Sequence, residues 1–368
     1  MSPSLPRTVL VTGGAGLIGA SVVRALLAEG ARVLVLDDGS GGARLAPPAD
    51  ARVELVWGDV RDRGLLGRLL QAAPRTTALV HLAARVGVRT VLADPLGSAA
   101  ANLDGVRSVL DAVRAVAPAR RPRIIAASSS EVYAESTAPL HEGSALRVER
   151  DGRWTYAAAK LAGERLFDAE SALWAPELAP IHLRFFNVVG PGQDAASGMV
   201  LPRFIEAARQ GAPLEVHGDG AQVRTFAHVE DVARDVAALA LGLGGAAAAA
   251  GALNLGGTAC ASVLELAQLV AERAAHRGLA RPELQRVDPV RVVSPGFADV
   301  RHRVPDLGRA RALGLAQRAR SLASIVDDMF GRHFAPALEH RPHLLEGGAG
   351  SFAEGAFARG APRPAPSS

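Results

Sequence analysis

The sequence is sparing with reactive side chains. Among 368 residues there is one cysteine, Cys260, and there are two tyrosines, Tyr133 and Tyr156. Lys160 is the only lysine, and every other cationic residue apart from histidine is arginine. One cysteine excludes an intramolecular disulfide and a cysteine metal cluster, and it suits a reducing cytoplasm. A lysine found only at position 160 leaves no P-loop lysine and no second Schiff-base candidate. Although 49% of the residues are apolar, no apolar run approaches the roughly 20 residues that span a bilayer. The opening MSPSLPRTVLVTGG lacks the charged, apolar, small-residue order of a secretory signal. The net charge is only +4, and the basic residues are spread along the chain. The expected partner is therefore a small anionic ligand, with no nucleic acid and no membrane.

What is present alternates between two periods. Short β-branched runs at 7–12, 31–38, 53–58, 78–83, 123–128 and 180–188 read as buried parallel strands. Helical patterns fall between them, at 17–29, 62–73, 98–116 and 155–171. Such alternation predicts an α/β fold, a Rossmann-like doubly wound parallel sheet with helices on both faces. Beyond residue 190 the pattern becomes helix 198–210, strand 213–217, helix 229–242 and helix 262–276. This predicts a smaller α/β substrate domain interleaved with the first. The expected division is 1–189 with part of 226–260, then 190–345. GGAAAAAGA (244–252) reads as a soft surface loop or helix end, and the Gly/Ala/Pro-rich tail 346–368 as disordered.

The first strand runs into Gly13-Gly14-Ala15-Gly16-Leu17-Ile18-Gly19. Glycines here let the backbone turn tightly and approach a pyrophosphate, which would sit on the helix N-terminus. The spacing is GxxGxxG, unlike the GxGxxG of most dinucleotide folds. The strand before it, the helix after it and Asp37 about 20 residues on all support a dinucleotide site. Asp37 would accept from both ribose hydroxyls and repel a 2′-phosphate, so the expected cofactor is NAD. Asp59 and Val60 end the third strand, where adenine would lie; Asp59 is equally suited to capping the following helix.

Tyr156 and Lys160 are four residues apart, on one face of a helix. A phenol with a pKa near 10 is a poor base at neutral pH. Bringing it there needs about 4 kcal/mol of differential stabilisation, which a neighbouring ammonium helps to provide. A lone lysine placed four residues after one of two tyrosines has a chemical reason to be there. Ser128-Ser129-Ser130-Glu131 follows the fifth strand at the carboxyl edge of the sheet, where ligands bind in open α/β folds. A serine there can relay a proton, and Glu131 adds a carboxylate that could extend the chemistry beyond hydride transfer.

With TGGAGLIG, HLAA (81–84), SSSEVY, YAAAK and RFFNVVGPG in this order, residues 7–330 resemble the extended short-chain dehydrogenase/reductase family, the NAD-dependent epimerases and dehydratases. The resemblance implies an NAD reduced and reoxidised within each cycle, with contacts from Leu82, Ala83 and Ala84. It also implies a nucleotide-diphosphate sugar over the second domain. Ser129 matches the family's catalytic hydroxyl residue, Tyr156 its base and Lys160 the partner of that base. Asn187 and Arg224 match residues that contact the substrate or its diphosphate, and Arg303 a second arginine at the ligand. Arg85, directly after HLAA, joins the expected substrate contacts. A homodimer built from helices 98–116 and 155–171 is a further expectation from the resemblance.

Three reactions share a first step, in which the sugar C4 is oxidised. The Ser-Glu-Val-Tyr run is similar to that of UDP-glucuronic acid decarboxylases, including UDP-xylose synthases. Arg153-Trp154 before the Tyr156 helix, and His302-Arg303-Val304-Pro305, are similar to segments of bacterial decarboxylases. A 4-keto uronate is a β-keto acid that loses CO2 readily, given a cation and a proton source. Arg303, with Ser130 and Glu131, would supply these. Decarboxylation of UDP-glucuronic acid is therefore the favoured expectation, and 4-epimerisation of a UDP-sugar comes second. A 4,6-dehydratase is third, because Ser130 stands where that group has an acid. A non-catalytic NAD sensor is the alternative outside enzymes, and it would be expected to have lost part of the Ser129, Tyr156 and Lys160 set.

Overall fold

The structure is a computed structural model that describes residues 6–331 except 42–44, 46, 150–151, 176–177, 289–299 and 319. The tail expectation for 346–368 lies outside the described residues. Strands β1 (Thr8–Thr12), β2 (Arg32–Asp37), β3 (Val53–Trp57), β4 (Thr76–His81), β5 (Arg123–Ser129) and β6 (Ile181–Phe185) form a parallel sheet in the order β6-β5-β4-β1-β2-β3. The helices between them are α1 (Leu17–Ala28), α2 (Arg63–Ala72), the short α3 (Val88–Ala93), α4 (Pro95–Arg114) and α5 (Thr155–Trp174). This is the Rossmann-like, doubly wound arrangement. The direction of winding reverses between β1 and β4, which opens a crevice at their carboxyl ends.

Two sequence expectations need correction here. The run 180–188 is not one strand. It breaks at Asn187, whose φ of +35° lies in the left-handed region that asparagine tolerates. Past the break, β7 (Val188–Val189) leaves the main sheet and pairs with β9 (Val223–His228). The segment 244–252 is only partly a surface turn. From Gly251 it becomes strand β10 (Gly251–Leu255), which adds a seventh strand beside β6. Its residues, Gly-Ala-Leu-Asn-Leu, carry no β-branched signal, so pairing with β6 determines its state.

Beyond β7, α7 (Val229–Leu241) and α9 (Gly308–Ala312) return to pack on the main sheet, and the second lobe contains α6 (Val200–Arg209), β8 (Leu214–His217), β11 (Ala259–Ser262), α8 (Val263–Ala275), β12 (Leu284–Val287), β13 (His302–Arg303) and α10 (Leu322–Gly331). Strands β11, β9 and β13 form one small sheet, and β12 pairs with β8. Three large cores, and a smaller cluster around Tyr133 and Phe186, follow from this layout. Val9, Val11, Val35 and Val80 pack under α1 and α7 on one face of the main sheet. Leu10, Leu36, Leu79 and Ile124 pack under α2, α4 and α5 on the other. Phe204, Phe226, Leu266 and Met329 close the second lobe. Among the described residues, no helix is long and apolar enough to cross a membrane.

Candidate active site

Thr12 ends β1 and the chain turns at Gly13, whose φ is +73°. A Cβ at Gly13 would lie 2.6 Å from the amide nitrogen of Ala83, so the glycine loop and the segment after β4 touch backbone to backbone. A Cβ at Gly19 would overlap the carbonyl oxygen of Gly13. Gly16 precedes α1 without a side-chain cap, which leaves the first-turn amides of Leu17, Ile18 and Gly19 open to an anion. Leu82 and Ala83 are tied to the same loop, their amides donating to Thr12 O at 3.0 Å and Thr12 Oγ1 at 3.4 Å. Ala84, half-buried, follows them.

At the end of β2 the Asp37 carboxylate accepts from the amides of Ala15 and Gly39, each at 2.8 Å. Burial raises its pKa, and the two amide hydrogen bonds pull the other way. A buried acceptor beside an uncapped helix start and a glycine cradle suits the two ribose hydroxyls and pyrophosphate of a dinucleotide. It does not suit a 2′-phosphate, which a carboxylate would repel. Asp59 stands at the end of β3, where its carboxylate forms a bidentate pair with Arg61. The capping reading of Asp59 is corrected: Asp62 caps α2, accepting from the Leu65 amide at 3.0 Å. The neighbouring Val60 packs against the α2/α4 core.

The residues expected to handle protons meet at the carboxyl edge of β5. Ser129 ends that strand, and a 3-10 turn over Ser130–Val132 carries Glu131. Tyr156 and Lys160 come from the first turns of α5, which packs against both β5 and this turn. Tyr156 is half-buried and Lys160 buried. The Lys160 ammonium lies 5.9 Å from the Tyr156 ring centroid and donates to Ala127 O at 3.0 Å. Burial lowers the pKa of Lys160 to about 8, with the Glu164 charge opposing. The Tyr156 phenol is pushed well up, first by burial and then by the charge of Glu131, while a hydrogen bond from Ser129 pulls it down. The protein alone therefore holds Tyr156 neutral.

Arg303 reaches this cluster from the second lobe. Its Nη1 lies 3.2 Å from Glu131 Oε1, and the guanidinium is nearly buried. Arg224 on β9 is in register with Arg303 on β13, so two buried arginines stand side by side on adjacent parallel strands. Asn187, at the handover between the lobes, donates from Nδ2 to Thr225 O at 2.9 Å. Ser130 is buried in the turn beside Ser129. Arg85 does not join the buried group; its guanidinium is exposed and paired with Asp94 at 3.0 Å.

Sequence reasoning missed Arg147. Its side chain is 6% exposed, its Nε donates to Glu131 O at 3.2 Å and its guanidinium stacks 3.5 Å from the Trp154 ring centroid. The charges of Arg303 and Glu131 both act on it. Nothing around Arg147 in the chain forms a motif, and only the tertiary fold brings it here. The support behind Lys160 was also missed. Arg184 makes a buried bidentate pair with Glu164, at 2.9 and 2.6 Å, and the Ser128 hydroxyl donates to the same carboxylate. The i, i+4 step from Lys160 to Glu164 was the available signal.

The family model "NAD dependent epimerase/dehydratase family" matches residues 9–256. A UDP-N-acetyl-alpha-D-glucosaminuronate decarboxylase of Bacillus cytotoxicus is 29% identical over 319 residues, covering 84% of this chain and 92% of that protein. UDP-glucuronate 4-epimerase 3 of Arabidopsis thaliana is 32% identical over 281 residues, covering 72% of this chain and 64% of that protein. The solved structure of MoeE5 in complex with UDP-glucuronic acid and NAD superposes with a TM-score of 0.69 at 30% identity, covering 88% of this chain and 97% of that one. Matched across the glycine loop, the main sheet and the Tyr156–Lys160 helix, the chain belongs to the NAD-dependent epimerase/dehydratase family, enzymes of nucleotide sugars that work with NAD as cofactor.

Proposed function

We propose that the enzyme oxidises C4 of a UDP-linked uronic acid, UDP-glucuronic acid being favoured, and then decarboxylates it to a UDP-4-keto-pentose or UDP-xylose. The observation that carries this reading is the Arg303–Glu131 pair at 3.2 Å, beside Tyr156 and Ser129. Gly13, Gly16, Leu17, Ile18, Gly19, Asp37, Asp59, Val60, Leu82, Ala83 and Ala84 bind NAD, which supplies the hydride acceptor and, later, the donor. Tyr156 takes the proton of the C4 hydroxyl, Ser129 hydrogen-bonds the reacting oxygen and Lys160 supports the phenolate. Arg303 holds the sugar carboxylate; as the C–C bond breaks and CO2 leaves, the electron pair passes to the enolate, and Ser130 and Glu131 relay the proton released from the C4 hydroxyl to the carbon left behind. Asn187 and Arg224 hold the diphosphate, for which a guanidinium fork is suited. Residues 1–189, with part of 226–260, serve the cofactor, and 190–345 mainly the nucleotide sugar. The protein works in the cytoplasm as a homodimer through α4 and α5, where Leu166 and Leu173 of α5 are exposed.

A second reading is 4-epimerisation of the same uronate, favoured by the similarity to the plant 4-epimerases. It needs the keto sugar to present its other face and no loss of carbon. Incubation with NAD and UDP-glucuronic acid, followed by mass spectrometry, separates the two. Loss of CO2 supports decarboxylation; an unchanged mass with UDP-galacturonic acid detected by NMR replaces it with epimerisation. Under the first reading, Glu131→Gln suppresses CO2 release more than the first burst of NADH, read at its near-ultraviolet absorbance. Equal loss of both removes Glu131 from the second step.

A further inference from the structure

Behind the Tyr156 helix, on the α5 side of the main sheet, three strands present one rung of side chains. His81 of β4, Ala126 of β5 and His182 of β6 are in register, and in a parallel sheet such residues project from the same face. A small alanine between two imidazoles, with Gly163 of α5 nearby, leaves a cavity of about 20 Å³ lined also by Lys160 and Glu164. That volume holds about one water, given polar partners.

The polar partners are there. His182 is 2% exposed, and its Nδ1 is buried without a hydrogen-bond partner among the described residues. Lys160 uses one N–H on Ala127 O, and no other acceptor for its ammonium occurs among the described residues. On its far side, His182 Nε2 lies 2.7 Å from Asp168 Oδ1, and the Asp168 side chain is 59% exposed. Lys160, Glu164 and Asp168 follow one another at i, i+4 along α5, so one helix face runs from the reacting pair to the surface. Glu164 is occupied by Arg184 and Ser128. His81 is turned to Thr12 Oγ1 at 2.8 Å and so leads to the cofactor loop, not to solvent.

We propose that Asp168, His182 and a water held in this cavity form a proton route joining Lys160 to solvent on the side away from the substrate cleft. Outward, the Lys160 ammonium gives a proton to the water, and the water passes one of its own to His182 Nδ1. The proton on Nε2 moves to Asp168 and then to bulk water. The reverse sequence returns a proton, so nothing is consumed and the ring only exchanges tautomers. The Tyr156–Lys160 pair can then reset its proton count while nucleotide sugar covers the cleft. The route requires Lys160 beside Tyr156 and is independent of which reaction the sugar undergoes.

Because Lys160 is the only lysine, protein labelled with 15N-lysine carries one side-chain ammonium signal. Its hydrogen exchange with solvent is measured in the NAD-loaded protein, without substrate. His182→Gln, which can keep the contact to Asp168 but cannot relay a proton, is expected to slow exchange about tenfold. Asp168→Asn is expected to slow it about threefold, with the titration midpoint of Lys160 unchanged in both. Asp168 is exposed, so its variant folds even if His182→Gln does not. An unchanged exchange rate in Asp168→Asn overturns the proposal, whatever His182→Gln does.

Discussion

Tyr156, Lys160 and Glu131 do different work in isolation from what they do together. Burial alone opposes the ionised phenol of Tyr156, and Glu131 adds to that opposition. As the proposed base, Tyr156 would therefore need the positive charge that arrives with bound NAD. Tyr156→Phe is expected to lower turnover about a thousandfold while leaving NAD affinity unchanged, as judged by burst kinetics and by titration. Lys160 offers a direct check on the same electrostatics. Its pKa is pulled from the ordinary 10.5 to about 8, because a desolvated ammonium is penalised more than Glu164 compensates. A 13C-lysine label should thus titrate in the free protein with a midpoint near 8. A midpoint at the ordinary value would mean that the ammonium is solvated. A pKa depressed in the fold also means that the unfolded chain binds more protons between these two values, so this group's contribution to stability rises with pH across that window.

At the scale of elements, the glycine loop and helix α7 carry the predictions. Gly13→Ala places a side chain at a left-handed φ and against the Ala83 amide. It should cost at least about 1–2 kcal/mol in stability and weaken NAD binding, both measurable by thermal unfolding with and without NAD. On α7, Asp235 is raised to about 6, chiefly by burial, although it accepts from the Ala316 amide at 3.1 Å. A carboxyl with a raised folded-state pKa binds its proton more tightly than the unfolded chain does. Stability is therefore lost as pH climbs from the ordinary 3.8 to about 6. Asp235→Asn keeps an acceptor for Ala316 and should stabilise by about 1 kcal/mol above that window, with no gain below it. Melting curves on either side of the window decide the matter, and an equal shift at both would refute the assignment.

For the whole molecule, the proposed homodimer rests on α4 and α5. Leu173 is 78% exposed and Leu166 41% exposed, and the i, i+7 spacing puts both on one helix face. Leu173→Glu is expected to convert a dimer to a monomer in a native-mass measurement while leaving the fold intact by circular dichroism. A wild type that is already monomeric removes the proposal. The two lobes also depend on each other for the site. Arg303 on β13 finds Glu131 across the cleft, 172 positions apart in sequence, so the candidate chemistry exists only in the assembled chain.

The division between sequence and structure follows from the range of the forces involved. Local pattern determined the six parallel strands from β1 to β6, the long helices between them, the glycine turn and the i, i+4 pairing of Tyr156 with Lys160. Each of these depends on periodicity, on a positive φ or on one turn of helix, all of which lie within a few residues. Only the tertiary structure decided that β10 joins the main sheet and that the chain changes sheets at Asn187. Arg303 beside Glu131 was expected from the resemblance; only the tertiary structure brought Arg147 to Glu131, and His182 to the cavity beside Lys160. These arrangements bury charge and polar atoms between segments far apart in the chain. The energy of such burial depends on which partner is found in space, and no local pattern records that partner.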